Sequence, residues 1–162
     1  MNAFYKVIEE IERELKATPF INAVTYGDIS DVDLNKTTNF GLGHIIVTGI
    51  SLNERVYNFS MSVLLMDLVS ERKVDTGYLP ESLFEYSDIF GLDNEVDVLN
   101  TMTAVAGRLI ESLRRGDLYD LNIQISEGGS VSVEPFTDRF ENKLAGVSVN
   151  FEVIIPSGMS IC

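Results

Sequence analysis

The stretch "FENKLAGVSVNFEVIIP", residues 140–156, decides the fold class. Val147, Val149, Phe151, Val153 and Ile155 are apolar, while Ser148, Asn150 and Glu152 between them are polar. A period of two marks a strand with one face in a core and the other outside it. Before it, Gly146 is expected to release the chain from a polar turn. In that turn Asp138 and Glu141 stand three residues apart, which suits the cap of one brief helical turn or a plain loop equally.

The same alternation recurs upstream. In "RVYNFSMSVLLMDLV", residues 55–69, Tyr57, Phe59, Met61, Val63 and Leu65 share one face, with Asn58, Ser60 and Ser62 on the other. "GHIIVTGISL", residues 43–52, reads as its hairpin partner across Asn53 and Glu54. "PFINAVTYGDI", residues 19–29, reads as a shorter strand. Towards the C-terminus Leu121, Ile123 and Ile125 alternate with polar residues, and "EGGS" at 127–130 is expected to turn a tight hairpin into Val131 and Val133. Several strands carry a wholly polar second face, which meets water or a polar partner.

Two segments carry helical spacing instead. Phe4, Val7, Ile8, Ile11 and Leu15 form one apolar stripe, with Asn2 placed to cap it and Pro19 to stop it. Its outer face offers the pairs Glu9–Arg13 and Glu12–Lys16. The second stripe is Val96, Leu99, Met102, Val105, Ala106, Leu109, Ile110 and Leu113, with Asp93 or Asn94 as cap, Arg114 and Arg115 in the last turn and Gly116 as terminator. The fold class is therefore α+β, a mostly antiparallel sheet with two helices packed on one face. At 162 residues the length fits a single domain, residues 1–162.

Between the third strand and the second helix lies a connecting arm, residues 71–92, without a clean period of 2 or 3.6. It holds Tyr78, Leu79, Leu83, Phe84, Tyr86, Ile89 and Phe90. Disordered segments are poor in aromatics, so two readings stand: a short helix burying these residues in the same domain, or a contact between subunits.

The formal net charge is −13. Such a balance opposes binding to a phosphate backbone or an anionic membrane, since both are held by Lys and Arg. Nine acidic residues fall between positions 67 and 97. They make either a solvated surface or one that keeps passing DNA from sticking. No apolar run reaches bilayer length, no signal-peptide core opens the chain, and the one cysteine, Cys162, excludes an internal disulfide.

Catalytic and metal signatures are missing. His44, the lone histidine, has no Cys or carboxylate at ligand spacing, so it reads as structural. "FGLGHI" offers only G-x-G. "DVDLNKTTNFGL", starting at Asp31, resembles a calcium loop at Asp31, Asp33 and Asn35, but Lys36 stands where the turn glycine belongs and Leu42 where the bidentate Glu belongs. No catalytic residue, no metal site and no cofactor is expected.

The order of elements, with the closing "VEPFTDRFENKLAGVSVNFEVIIP", resembles the tail-terminator and neck-ring (head-to-tail connector) proteins of tailed bacteriophages, including crAss-like phages of Bacteroidetes. The resemblance spans most of the chain in element order and is motif-like over residues 131–156. It implies a tail-terminator-like fold and a structural virion protein of the neck or tail, made in the host cytoplasm. Its partners would be itself, in a six- or twelve-fold ring, and neighbouring portal, neck or tail rings. DNA would pass through the lumen without specific binding, and no membrane is involved. The candidate subunit-interface residues are Tyr78, Leu79, Phe84, Tyr86, Ile89 and Phe90 in the arm, with Phe136, Arg139 and Phe140 before the last strand. The alternative is an acidic DNA mimic that inhibits a host DNA-binding protein, which requires carboxylates spaced like phosphates along one surface. A small enzyme ranks third.

Overall fold

β3 (Val56–Leu68) and β6 (Leu144–Pro156) are the two longest strands, and they pair antiparallel along their whole length, from Val56 opposite Pro156 to Leu68 opposite Leu144. They are the centre of a computed structural model that describes residues 3–30, 40–69, 94–115, 123–125, 131–137 and 143–156. Around them, in chain order, lie α1 (Ala3–Lys16), β1 (Ala23–Tyr26), β2 (Leu42–Leu52), α2 (Glu95–Arg115), β4 (Gln124–Ile125) and β5 (Ser132–Phe136). The sheet has six strands in the order β1-β2-β3-β6-β4, with β5 also on β6. All pairings are antiparallel except β1 with β2. The architecture is α+β, as the alternation and helical stripes imply.

Both helices lie on one face. Val7, Ile11 and Leu15 of α1 join Met102, Val105, Leu109 and Leu113 of α2 in a core with Met61, Val63 and Leu65 of β3 and Val147 to Ile155 of β6. Each such side chain contributes about 1.5–3 kcal/mol on burial, more than any propensity term, so tertiary packing sets the stability of both helices. The stripe of α2 begins at Val98, not Val96, which is 39% exposed. Val98 N–H donates to the Asn94 carbonyl at 3.0 Å, which makes Asn94 the cap and fixes that phase. On α1, Glu12 pairs with Lys16 as expected, whereas Arg13 pairs with Glu10 and, at 3.5 Å, Glu14 instead of Glu9. These exposed pairs are close in energy, so the exchange has little effect on stability.

Three expectations need correction. First, β4 and β5 do not form a hairpin with each other. Gln124 lies opposite Ile154 and Ser132–Phe136 opposite Asn150–Gly146, so both run the same way along one edge of β6. Pairing with that long edge satisfies its backbone groups and buries Ile125 and Phe136, which a free hairpin would not do. Residues 127–130 lie outside the described residues.

Second, the other sheet face is not wholly polar. Leu42, Leu64, Met66, Phe136 and Leu144 form a buried apolar cluster at one end of it. Further along, Ser62 and Ser148 are buried and hydrogen-bonded to each other at 3.1 Å, so Ser148 does not face outward, while Glu152 does. Asn150 continues the row, donating from Nδ2 to Ser132 Oγ at 3.3 Å.

Third, Gly146 sits inside β6 rather than ahead of it. The left-handed backbone that starts the strand is at Lys143, φ 48°, whose carbonyl accepts the Val69 N–H at 3.0 Å. The proposed caps at Asn2 and Asp138, residues 31–39 of the calcium-like segment 31–42, the terminator Gly116 and the arm 71–92 lie outside the described residues.

Candidate interaction surfaces

His44 lies on the second sheet face, opposite Leu64, and is 1% exposed. Its Nε2 is 3.1 Å from the Asp28 carbonyl oxygen, which can only accept, so Nε2 carries the proton. Nδ1 is hydrogen-bonded to the Thr25 hydroxyl at 2.7 Å. The ring thereby ties β1 to β2 and holds the segment leaving β1. In these two bonds the ring meets one backbone carbonyl and one hydroxyl. Replacing the histidine by leucine removes both bonds that tie β1 and the segment after it to the buried ring, so His44→Leu is expected to destabilise the fold by about 1–3 kcal/mol. Urea unfolding checks this, and a wild-type midpoint would remove the structural role.

Among the described residues no group of three or more His, Cys, Asp or Glu could hold a metal, and no helix is long and apolar enough to cross a membrane. What the fold does present is apolar surface at its two sheet edges. β1 covers β2 only from Leu42 to Ile45. Residues 46–52 have no further strand partner on that side among the described residues. A β-bulge falls between Val47 and Gly49, with the Thr48 hydroxyl donating to the Ser60 carbonyl at 3.1 Å. Beyond it Ile50 and Leu52, opposite Phe59 and Tyr57, are 57% and 69% exposed. They lie on the helix-bearing face, at the end where Phe4 of α1 packs on Phe59 with ring centres 5.4 Å apart and Tyr5 is exposed.

The opposite edge differs in chemistry. β5 runs outside β6, and Pro135 fits there because an edge strand can spare one N–H donor. Val133, opposite Val149 and on the helix face, is exposed beside α2. An open groove of about 490 Å³ lies between them, floored by Ala106, Gly107, Ile110, Val131 and Val133 and rimmed by Glu111, Arg114 and Arg115. Arg115 pairs with Glu111 at 3.0 Å. Arg114 has no ion pair among the described residues.

Of the candidate interface residues, only Phe136 is described. It is 8% exposed and packs in the second apolar cluster with Leu42 and Met66, so within one subunit it is a core residue. Tyr78, Leu79, Phe84, Tyr86, Ile89, Phe90, Arg139 and Phe140 lie outside the described residues. Sequence reasoning missed Ile50, Leu52 and Gly107. The first two continue a core alternation but lie beyond the part of β2, up to Val47, that packs in the core. Gly107 carried a readable signal, a glycine in the middle of a helical stripe.

No protein-family model matches the chain, and no curated protein matches it.

Proposed function

We propose that this chain is a structural protein that assembles head to tail into a homo-oligomeric ring of a phage neck or tail, joining coaxial rings around a DNA channel. The observation that supports it is the unlike pair of surfaces at the two sheet edges. One offers exposed Ile50 and Leu52 on a strand without a further partner there among the described residues, and the other a valine-lined groove with arginines. Unlike patches on opposite sides of one subunit suit a heterologous interface, the kind that generates rings when the rotation closes. A net charge of −13 suits a lumen through which DNA moves without adsorbing. The chemistry is assembly, and no catalytic step is assigned.

Ile50 and Leu52 touch little within the subunit, so replacing both with glutamate should leave the fold within about 0.5 kcal/mol of wild type. Ile50→Glu with Leu52→Glu is expected to abolish rings seen by negative-stain microscopy and multi-angle light scattering. A wild-type chain that stays monomeric at high concentration and never enters particles would refute the ring. A double variant that assembles normally would refute the role of this edge.

A further inference from the structure

Nothing among the described residues requires glycine at position 107. It is exposed in the middle of α2, its φ is not positive, and a Cβ built there meets nothing within 4 Å. Glycine in a helix interior destabilises it relative to alanine, so the position carries a penalty that the isolated subunit does not explain. What the missing side chain leaves free is the groove between α2 and β5, where Gly107 lies with Ile110 and Val133 under the rim of Arg114 and Arg115. Glu111 on the same rim pairs with Arg115 at 3.0 Å, which leaves Arg114 as the cation without an ion pair among the described residues; over an apolar floor it favours an acidic, apolar ligand.

This chain contains such a ligand. From Glu81 to Asp93 there are four acids, Glu81, Glu85, Asp88 and Asp93, and no Lys or Arg, interleaved with Leu83, Phe84, Tyr86, Ile89 and Phe90. We propose that residues 81–90 of one copy dock in the α2–β5 groove of the next, aromatic side chains on the floor and carboxylates on Arg114 and Arg115. This rests on the ring reading and makes the arm, rather than the Ile50–Leu52 edge, the occupant of the groove.

The ring reading, not reach, assigns the arm to a neighbour. Ala106 at the near end of the groove stands 12 residues beyond Asn94, about 18 Å along the helix axis, and Asp88 stands six residues before Asn94, up to about 21 Å of extended chain, so one chain can span that distance as well. Mixing of variant copies separates the two.

Charge exchange between copies tests this on the full-length protein. Arg114→Glu with Arg115→Glu reverses the groove, and Glu85→Lys with Asp88→Lys reverses the arm. Each double variant alone is expected to weaken self-association about tenfold or more, by sedimentation or light scattering, with its circular dichroism unchanged. An equimolar mixture is expected to recover association to within about threefold of wild type, because each groove then finds an arm of opposite charge. Recovery on mixing requires exchange between chains, since an arm held in its own subunit gains nothing from a neighbour. Gly107→Leu introduces a good helix former but fills the groove, and is expected to weaken association without loss of thermal stability.

If the wild type assembles and these variants assemble equally well, the groove has no such role while the ring reading stands. If the reversed variants fail alone and fail mixed, the arm is not its occupant. If the wild type itself never assembles, both readings fall together.

Discussion

Gly146→Ala is expected to pull the two central strands apart. A Cβ at this position would lie 1.9 Å from the Leu65 carbonyl oxygen, 2.9 Å from the carbonyl carbon and 2.8 Å from the Met66 Cα. All three atoms are backbone of β3, so no change of rotamer relieves the overlap. On its other side β6 is held by Phe136 of β5, opposite Gly146 itself, which leaves no direction of easy retreat. The loss should exceed about 4 kcal/mol, in the rare class of very damaging substitutions, against a total stability of about 5–15 kcal/mol. Urea unfolding followed by circular dichroism measures it. Gly107→Ala is the matched control: with open space around its Cβ it should raise stability by about 0.5–1 kcal/mol. Equal midpoints for Gly146→Ala and wild type would mean that β3 and β6 do not approach so closely there.

The two glycines show what the sequence makes legible. Both look like punctuation in a local reading. The reason for Gly146 is the backbone of a strand some 80 residues earlier, and no local pattern records that distance. The alternation in β3 and β6 was readable because burial on the helix face is the same along nearly the whole of both strands. The second face was readable only in part. Its apolar end coincides with the continuous run Val63, Leu64, Leu65 and Met66, the pattern of a strand covered on both faces, yet period-two counting sees only one of them.

The phase of α2 was two residues out at its start because Val96, Leu99 and Met102 also recur at helical spacing. Packing against β3 and β6, not spacing, selects Val98. "EGGS" reads as a turn in either topology, and the exposed edge of β6 decides which strands it separates. Of the candidate surfaces, the arm's acids and aromatics were legible as composition. The groove was not, because α2 and β5 are far apart in sequence and only the sheet order brings them together.

That order also depends on one residue at the other edge, and Gly41→Ala is expected to lose it. Gly41 has φ +74°, and a Cβ there would lie 2.2 Å from the Phe20 carbonyl oxygen. Its own carbonyl accepts the N–H groups of Asn22 at 2.7 Å and Ala23 at 3.3 Å, while its N–H donates to Asp67 Oδ1 at 3.2 Å. The same carboxylate oxygen accepts the Leu68 N–H at 2.8 Å. One glycine thus joins the entry to β1, the start of β2 and the end of β3. Two penalties are separable. The left-handed backbone costs an alanine about 1–2 kcal/mol, and the overlap with a carbonyl adds to it, for a combined loss of about 3 kcal/mol or more. Asparagine tolerates left-handed φ better than alanine does, but it carries the same Cβ. The overlap therefore predicts that Gly41→Asn is as damaging as Gly41→Ala, whereas a purely conformational penalty predicts recovery with asparagine. Hydrogen exchange should show protection lost first in β1 and the first residues of β2, where the pairing from Ala23–Leu42 to Tyr26–Ile45 is anchored by this residue. Release of β1 would extend the open edge of β2 from residues 46–52 back to Leu42, so the variant should also aggregate or assemble without order at concentrations where the wild type does not. A Gly41→Asn protein with wild-type stability and β1 protection would overturn the steric part of this account.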